Sequence, residues 1–179
     1  AKFLTLDGLH MHLGSPIASV DPFVTALHKL LNLVRDLEAQ GTPVRSLDLG
    51  GGFAADYQTG QTPPYTAYAA AIVPLLKPLV DRGVRIVMEP GRTLVANAGI
   101  LLTRVRDLKQ NGSKTFAVCD AGMHTLIRPA LYGSFHFVWP TRVQIGHEPT
   151  SRHEVMDLPG LKPVDIVGPI CESSDFLAQ

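Results

Sequence analysis

His10 and His12 stand two residues apart at the end of Phe3-Leu4-Thr5-Leu6-Asp7-Gly8-Leu9-His10, a run that reads as a strand, so both imidazoles project from one face. Two imidazoles on one face can share a cation, as at the start of a metal-dependent hydrolase site. A hydrogen-bonded core histidine is the plain alternative for either one. Gly50, Gly51 and Gly52 follow an apolar run, and residues without a Cβ let backbone amides approach an anion such as phosphate. An ordinary flexible turn is the competing reading. Ser15 offers a hydroxyl beyond the first strand, and Arg92 offers a planar fork to phosphate or carboxylate beyond the third. Glu89 ends an apolar run and needs a cationic partner there; Arg92 is one choice, and a ring nitrogen that must stay protonated is another. Arg128 and Tyr132, four apart, share a side of a helical turn and can clamp one carboxylate. Cys171-Glu172-Ser173-Ser174-Asp175 gathers a thiol, two carboxylates and hydroxyls at a strand end, whereas Cys119, in Phe116-Ala117-Val118-Cys119, reads as a small buried hydrophobe.

The elements that position these groups alternate in the first half of the chain, as a parallel sheet covered by helices requires. Asp21-Pro22 predicts an N-cap with proline at the first helical position. Leu27, Leu30, Leu31, Val34 and Leu37 then form one apolar stripe, and Gly41 ends the helix. Val44–Leu49 is the next strand and Tyr65–Arg82 the next helix, with a kink or break expected at Pro74 and Pro78. Val84–Met88 reads as a third, buried strand. From about Asn97 onward, Ile100–Leu108, Lys114–Asp120, Phe135–Ile145 and Lys162–Cys171 read as strands, and Gln110-Asn111-Gly112-Ser113 as a hairpin turn. The candidate groups of the first half thus fall at the carboxyl ends of parallel strands, where α/β folds bind ligands. The chain has 179 residues, 45% hydrophobic and 18% charged, enough to bury a core. Sixteen Lys plus Arg balance sixteen Asp plus Glu, so no charge footprint points to nucleic acid or an anionic membrane. Two cysteines make no disulfide scaffold, and with neither a leader nor a spanning run in view the expected location is the cytoplasm.

Taken together, Gly8-Leu9-His10-Met11-His12-Leu13-Gly14-Ser15, Leu47-Asp48-Leu49-Gly50-Gly51-Gly52-Phe53, Glu89-Pro90-Gly91-Arg92, Asp120-Ala121-Gly122-Met123, Arg128-Pro129-Ala130-Leu131-Tyr132 and Cys171-Glu172-Ser173-Ser174-Asp175 resemble a known family over nearly the whole chain. It is the pyridoxal-phosphate-dependent decarboxylases of the alanine-racemase-like fold, the ornithine, diaminopimelate and arginine decarboxylases, and diaminopimelate decarboxylase in particular. The resemblance implies an α/β fold: the C-terminal part of a TIM (β/α)8 barrel over residues 1–96, which binds the cofactor, then part of a β-rich domain over 97–179. It implies pyridoxal 5'-phosphate as cofactor and decarboxylation of meso-2,6-diaminopimelate to L-lysine. His12 would stack on the pyridine ring, Ser15 and the Gly50, Gly51 and Gly52 amides would hold the phosphate with Gly91 and Arg92 beside it, and Glu89 would face the pyridine nitrogen. Arg92, Arg128 and Tyr132 would bind substrate carboxylate. Cys171 would lie near the reacting carbon and Glu172 would recognise the distal amino group, both reaching into the partner's active site of a homodimer.

The same resemblance places the Schiff-base lysine on an early barrel strand. None of the six lysines, Lys2, Lys29, Lys77, Lys109, Lys114 and Lys162, stands in such a position, so the expectation is a portion of a longer protein, inactive by itself. His124-Thr125 departs from the pair usual in the family after Gly122-Met123 and leaves the substrate more open than the cofactor. Three alternatives remain at this level: a same-fold decarboxylase of another amino acid, a metal-dependent barrel hydrolase using His10 and His12, and a non-catalytic relative that serves as a regulatory partner.

Overall fold

A computed structural model describes residues 3–57, 59–152, 158 and 160–179, in two compact units. The first comprises residues 1–56 and 60–99, the second residues 57–59 and 100–179. Among the described residues no helix is long and apolar enough to cross a membrane.

The first unit runs β1 (Gly8–His10), α1 (Asp21–Ala39), β2 (Ser46–Asp48), α2 (Tyr65–Val80), β3 (Arg85–Val87) and α3 (Gly91–Val95). The strands are parallel in the order β1-β2-β3, with Leu9 opposite Leu47 and Leu47 opposite Ile86. Helix α1 forms because its apolar stripe buries Phe23, Leu27, Leu30 and Val34 against Leu47, Leu49 and the α2 residues Tyr68, Ile72, Leu76 and Leu79. Phe23, Phe53 and Tyr68 close this core as an aromatic trio, with ring centroids 4.8 to 5.5 Å apart. Gly41, at φ +79°, ends α1: its amide donates to Glu38 and that of Thr42 to Leu37, a Schellman motif that a Cβ-bearing residue would strain.

Several local expectations change. Val20, not Asp21, is the N-cap of α1, and Asp21 is its first helical residue, where its charge meets the helix dipole without a side-chain cap bond. Helix α2 stays continuous through Pro74 and Pro78, because both lie four apart on its exposed side, where water can take up the carbonyls they leave unpaired. Strand β3 is not buried: Arg85 and Val87 are exposed, and it pairs on one side only among the described residues, with β2.

The second unit contains β4 (Val105–Asn111), β5 (Lys114–Cys119), α4 (Arg128–Tyr132), β6 (Asp165–Val167) and β7 (Phe176–Ala178), the strands in the order β4-β5-β6-β7. β4 and β5 form the expected hairpin, with Asn111 opposite Lys114 and Gly112 at φ +59° in the first central position of the turn. β4 begins at Val105 rather than Ile100, because Thr103 and the Arg104 amide are drawn to the Asp120 carboxylate, each at 2.9 Å. Residues 135–145 form no strand. Phe137 and Trp139 do share a side, their rings stacked at 5.6 Å, but Pro140 offers no amide for a ladder.

Candidate active site

The carboxyl ends of β1, β2 and β3 carry the first group of candidate residues, and backbone pairing continues beyond the strands to hold them. The Met11 amide bonds to Asp48, Leu49 to Val87, Glu89 to Gly50 and Ile17 to Gly52, at 2.8 to 3.0 Å. Three strand tips therefore lie side by side where the sequence has three glycines. A Cβ on Gly50 would run into the Met11 carbonyl, on Gly51 into the Glu89 carbonyl, and on Gly52 into the Gly14 carbonyl. The glycines are thus required by close backbone approach, not by flexibility. Asp48, to which the sequence assigned no role, fixes the turn: its Oδ1 accepts the Gly50 amide at 2.9 Å. An Asp two residues before the amide it binds is the signal that such a turn leaves in a sequence.

On this scaffold His10 Nε2 stands 3.4 Å from Glu89 Oε1, and His12 Nδ1 stands 4.0 Å from Glu89 Oε2. His12 Nδ1 also accepts the Gly51 amide at 3.3 Å, which leaves its ring proton to Nε2. Arg92 Nε donates to Ser15 Oγ at 2.9 Å, so the two groups offered to a phosphate are in contact. Glu89 meets the histidines while Arg92 meets Ser15. With its side chain 49% exposed, Glu89 is not the buried carboxylate that the apolar run suggested. Gly91 opens α3, directly between Glu89-Pro90 and Arg92. A concavity of about 210 Å³ lies beside the glycine turn, lined by Phe53, Asp56, Thr62, Tyr65, Thr93 and Asn97; His10, His12 and Glu89 lie outside it, on an open face.

This arrangement fits a phosphorylated heteroaromatic ring: a Cβ-free cradle with a hydroxyl and a guanidinium, and imidazoles with a carboxylate gathered at the same strand ends. His10, His12 and Glu89 also present ligand atoms within 4.8 Å of one another, a set that metal ions accept. The family model for the pyridoxal-dependent decarboxylase, pyridoxal binding domain, covers residues 1–96. The chain belongs to the pyridoxal-dependent decarboxylases. A diaminopimelate decarboxylase of Vibrio cholerae is 38% identical over 98% of the chain and 39% of its own length. The crystal structure of diaminopimelate decarboxylase from Helicobacter pylori complexed with L-lysine matches 99% of the chain and 40% of its own, with 33% identity and a TM-score of 0.76. That of the M. jannaschii enzyme, also in co-complex with L-lysine, matches 97% and 37%, with 30% identity and a TM-score of 0.77. The fold of the chain is accordingly the alanine-racemase-like one, a partial (β/α) barrel and a partial β-rich region. The chain spans about two-fifths of the length of these relatives.

The second unit holds the remaining candidates in two groups. Arg128 opens α4 and donates from Nη2 to Ser134 Oγ at 3.0 Å, with its guanidinium over the rings of Tyr57 at 5.5 Å and Tyr132 at 5.6 Å. Gly133, left-handed at φ +58°, turns the chain so that Ser134 comes back to the arginine. Neither Tyr57, Ser134 nor His136 was singled out in the sequence. The His136 ring lies 5.4 Å from that of Tyr57, and its Nε2 is buried without a hydrogen-bond partner among the described residues. Burial, and then the Arg128 charge, push the His136 pKa down.

Cys171 is exposed beside Glu172, whose Oε1 accepts the Ser173 hydroxyl at 3.0 Å and the Ser174 amide at 3.3 Å. Ser173, then the backbone of Ser174, hold the Glu172 carboxyl below the usual glutamate range. Asp175, 3% exposed, anchors this loop: its two oxygens accept the Met123 and Ile170 amides, each at 2.6 Å. Gly122 and Gly168 leave room for that carboxylate, since a Cβ on either would collide with it. Cys119 is buried, and burial pushes its thiol pKa up, in keeping with a packing role.

Proposed function

We propose that the complete protein carrying this chain decarboxylates meso-2,6-diaminopimelate to L-lysine in the cytoplasm. The observation that carries the reading is the triple-glycine cradle with His12, Glu89, Ser15 and Arg92 at one sheet end, in a chain whose similar proteins include diaminopimelate decarboxylases. Residues 1–96 are the chain's share of the cofactor-binding barrel and residues 97–179 its share of the β domain. Ser15, Gly91, Arg92 and the Gly50-Gly51-Gly52 turn hold the phosphate. The Gly50 amide stays with Asp48, while the Gly51 amide, in a longer bond to His12, is free to exchange toward an anion. His12 packs on the pyridine ring, and Glu89 keeps the pyridine nitrogen protonated. When bound, the cofactor supplies the electron sink for the pair released as carbon dioxide departs.

Arg128 and Tyr132 bind the substrate carboxylate that is retained, with Arg92 available from the phosphate side. Ser134, bonded to Arg128, orients its guanidinium. Glu172 pairs with the distal amino group, and its depressed pKa keeps it anionic for that task. Cys171 lies near the reacting carbon. In this reading Cys171 and Glu172 serve the partner subunit's site in a homodimer, and the covalently attached lysine comes from a part of the protein outside this sequence. A metal-centred reading of His10, His12 and Glu89 leaves the Ser15–Arg92 pair without a task.

The test is carbon dioxide release by the complete protein from a panel of amino acids, with and without added pyridoxal phosphate. Turnover of meso-diaminopimelate that depends on pyridoxal phosphate is expected. Turnover of ornithine without diaminopimelate would reassign the substrate, and stoichiometric zinc without the cofactor's visible absorbance would replace the reading by the metal-dependent one.

A further inference from the structure

His10 has no part in the proposed cofactor contacts, yet its Nε2 stands 3.4 Å from Glu89 Oε1. A carboxylate that faces a pyridine nitrogen through one oxygen has a second oxygen to orient. From this geometry we infer that His10 is a positioning residue for Glu89, donating its Nε2–H to Oε1 so that the other oxygen is presented to the pyridine nitrogen. The inference rests on the pyridoxal reading of the site and names a residue that reading leaves idle.

The two histidines are set up differently. His12 Nδ1 is occupied as an acceptor by the Gly51 amide and lies 4.0 Å from Glu89, beyond hydrogen-bond reach. His10 is the last residue of β1, paired with Asp48 across the sheet, and Glu89 is fixed through its own amide to Gly50 at 2.9 Å. Both backbones are therefore anchored, and only side-chain torsions separate 3.4 Å from a full hydrogen bond. Contacts of this kind are commonly long in a ligand-free site and tighten when it fills. Both side chains are about half exposed, at 52% and 49%, so in open water the pair contributes little. An aromatic ring covering this face removes that water and strengthens the pair.

The test uses the complete holoenzyme loaded with cofactor isotope-labelled at its ring nitrogen. His10→Phe is expected to move the nitrogen resonance toward that of an unprotonated pyridine and to lower kcat roughly tenfold, the scale of one hydrogen bond to a charged group, with substrate KM little changed. His10→Gln, whose amide N–H reaches the place of Nε2, is expected to restore both readouts. A resonance unmoved by His10→Phe, or a His10→Gln variant no better than His10→Phe, overturns the inference. Glu89→Gln separates the two levels of the argument. If it moves the resonance while His10→Phe does not, only the role of His10 falls; if it leaves the nitrogen protonated, the pyridoxal reading of Glu89 falls with it.

Discussion

Asp175, Glu172 and Glu89 are three carboxylates in three environments, and each environment sets a different response to change. Asp175 is buried and accepts two backbone amides at 2.6 Å, which ties the Cys171–Glu172 loop to the segment at Met123. Asp175→Asn turns one acceptor into a donor facing an N–H, so the expected cost is about 2 kcal/mol, the penalty of an unsatisfied buried group. Urea unfolding of the complete protein measures it, and an unchanged midpoint would remove Asp175 from its anchoring part. Glu172 is exposed and its pKa is depressed chiefly by the Ser173 hydroxyl. A depressed carboxyl contributes stability above its unfolded pKa and loses it as pH falls through the folded one. Binding by the ionised form follows the same direction. Ser173→Ala should return the carboxyl toward the ordinary glutamate range, so that substrate KM starts to rise at a higher pH than in the wild type as the medium is acidified. A KM profile that coincides with the wild type would show that Glu172 does not meet the substrate's amino group. Much at this scale was legible from spacing: His-x-His puts two imidazoles at the tip of β1, His10 ending the strand and His12 just beyond it, 3.4 and 4.0 Å from Glu89. Asp48 left a local signal that was not used, an Asp two residues before the amide it accepts, whereas Asp175 serves Met123, 52 residues away, a partner no local pattern announces.

At the scale of elements, the sheet end is built by parallel strand tips that approach too closely for side chains. Gly51→Ala places a methyl group 2.5 Å from the Glu89 carbonyl, so either the β2 or the β3 tip must move. Loss of several kcal/mol in stability is expected together with weakened pyridoxal phosphate binding, because overpacking typically costs about 1–3 kcal/mol even where side chains can yield and here the obstacle is backbone. Cofactor titration of the complete variant protein checks it; wild-type affinity would return the glycines to an ordinary turn. The alternation of apolar strands and striped helices that produces this end was readable because burial imposes the period. Where the period misled, another constraint prevailed. Phe135, Phe137 and Trp139 alternate as in a strand, but Pro140 denies the ladder a donor, and the Phe137 and Trp139 rings stack on each other instead. Pro74 and Pro78 promised a broken helix, yet both stand on the exposed side of α2 while Ile72, Leu76 and Leu79 hold its other side to the core. A proline count carries no information about which face the prolines occupy.

At the scale of the whole molecule, the apolar surface is the telling quantity. Ile100, Leu102 and Ile145 are 95, 71 and 99% exposed, and every residue of β4, Val105 and Leu108 among them, faces solvent. Soluble proteins tolerate single exposed apolar residues but seldom extended patches of them, since about 25 cal/mol is lost for each Å² of apolar surface left in water. Relatives of this chain are about two and a half times longer, as its 39% share of their length requires. The 179-residue chain produced alone is therefore expected to bind a hydrophobic dye such as anilinonaphthalene sulfonate and to form open-ended aggregates, whereas the complete protein should bind less dye and stay a discrete dimer. Replacing Leu102 and Leu108 with lysine in the isolated chain discriminates between causes: reduced dye binding with an unchanged circular dichroism spectrum attributes the effect to this surface. Undiminished dye binding would instead mean that the isolated chain loses its packed cores, the Phe23–Phe53–Tyr68 trio among them, and that the rest of the protein is needed for folding and not only for cover.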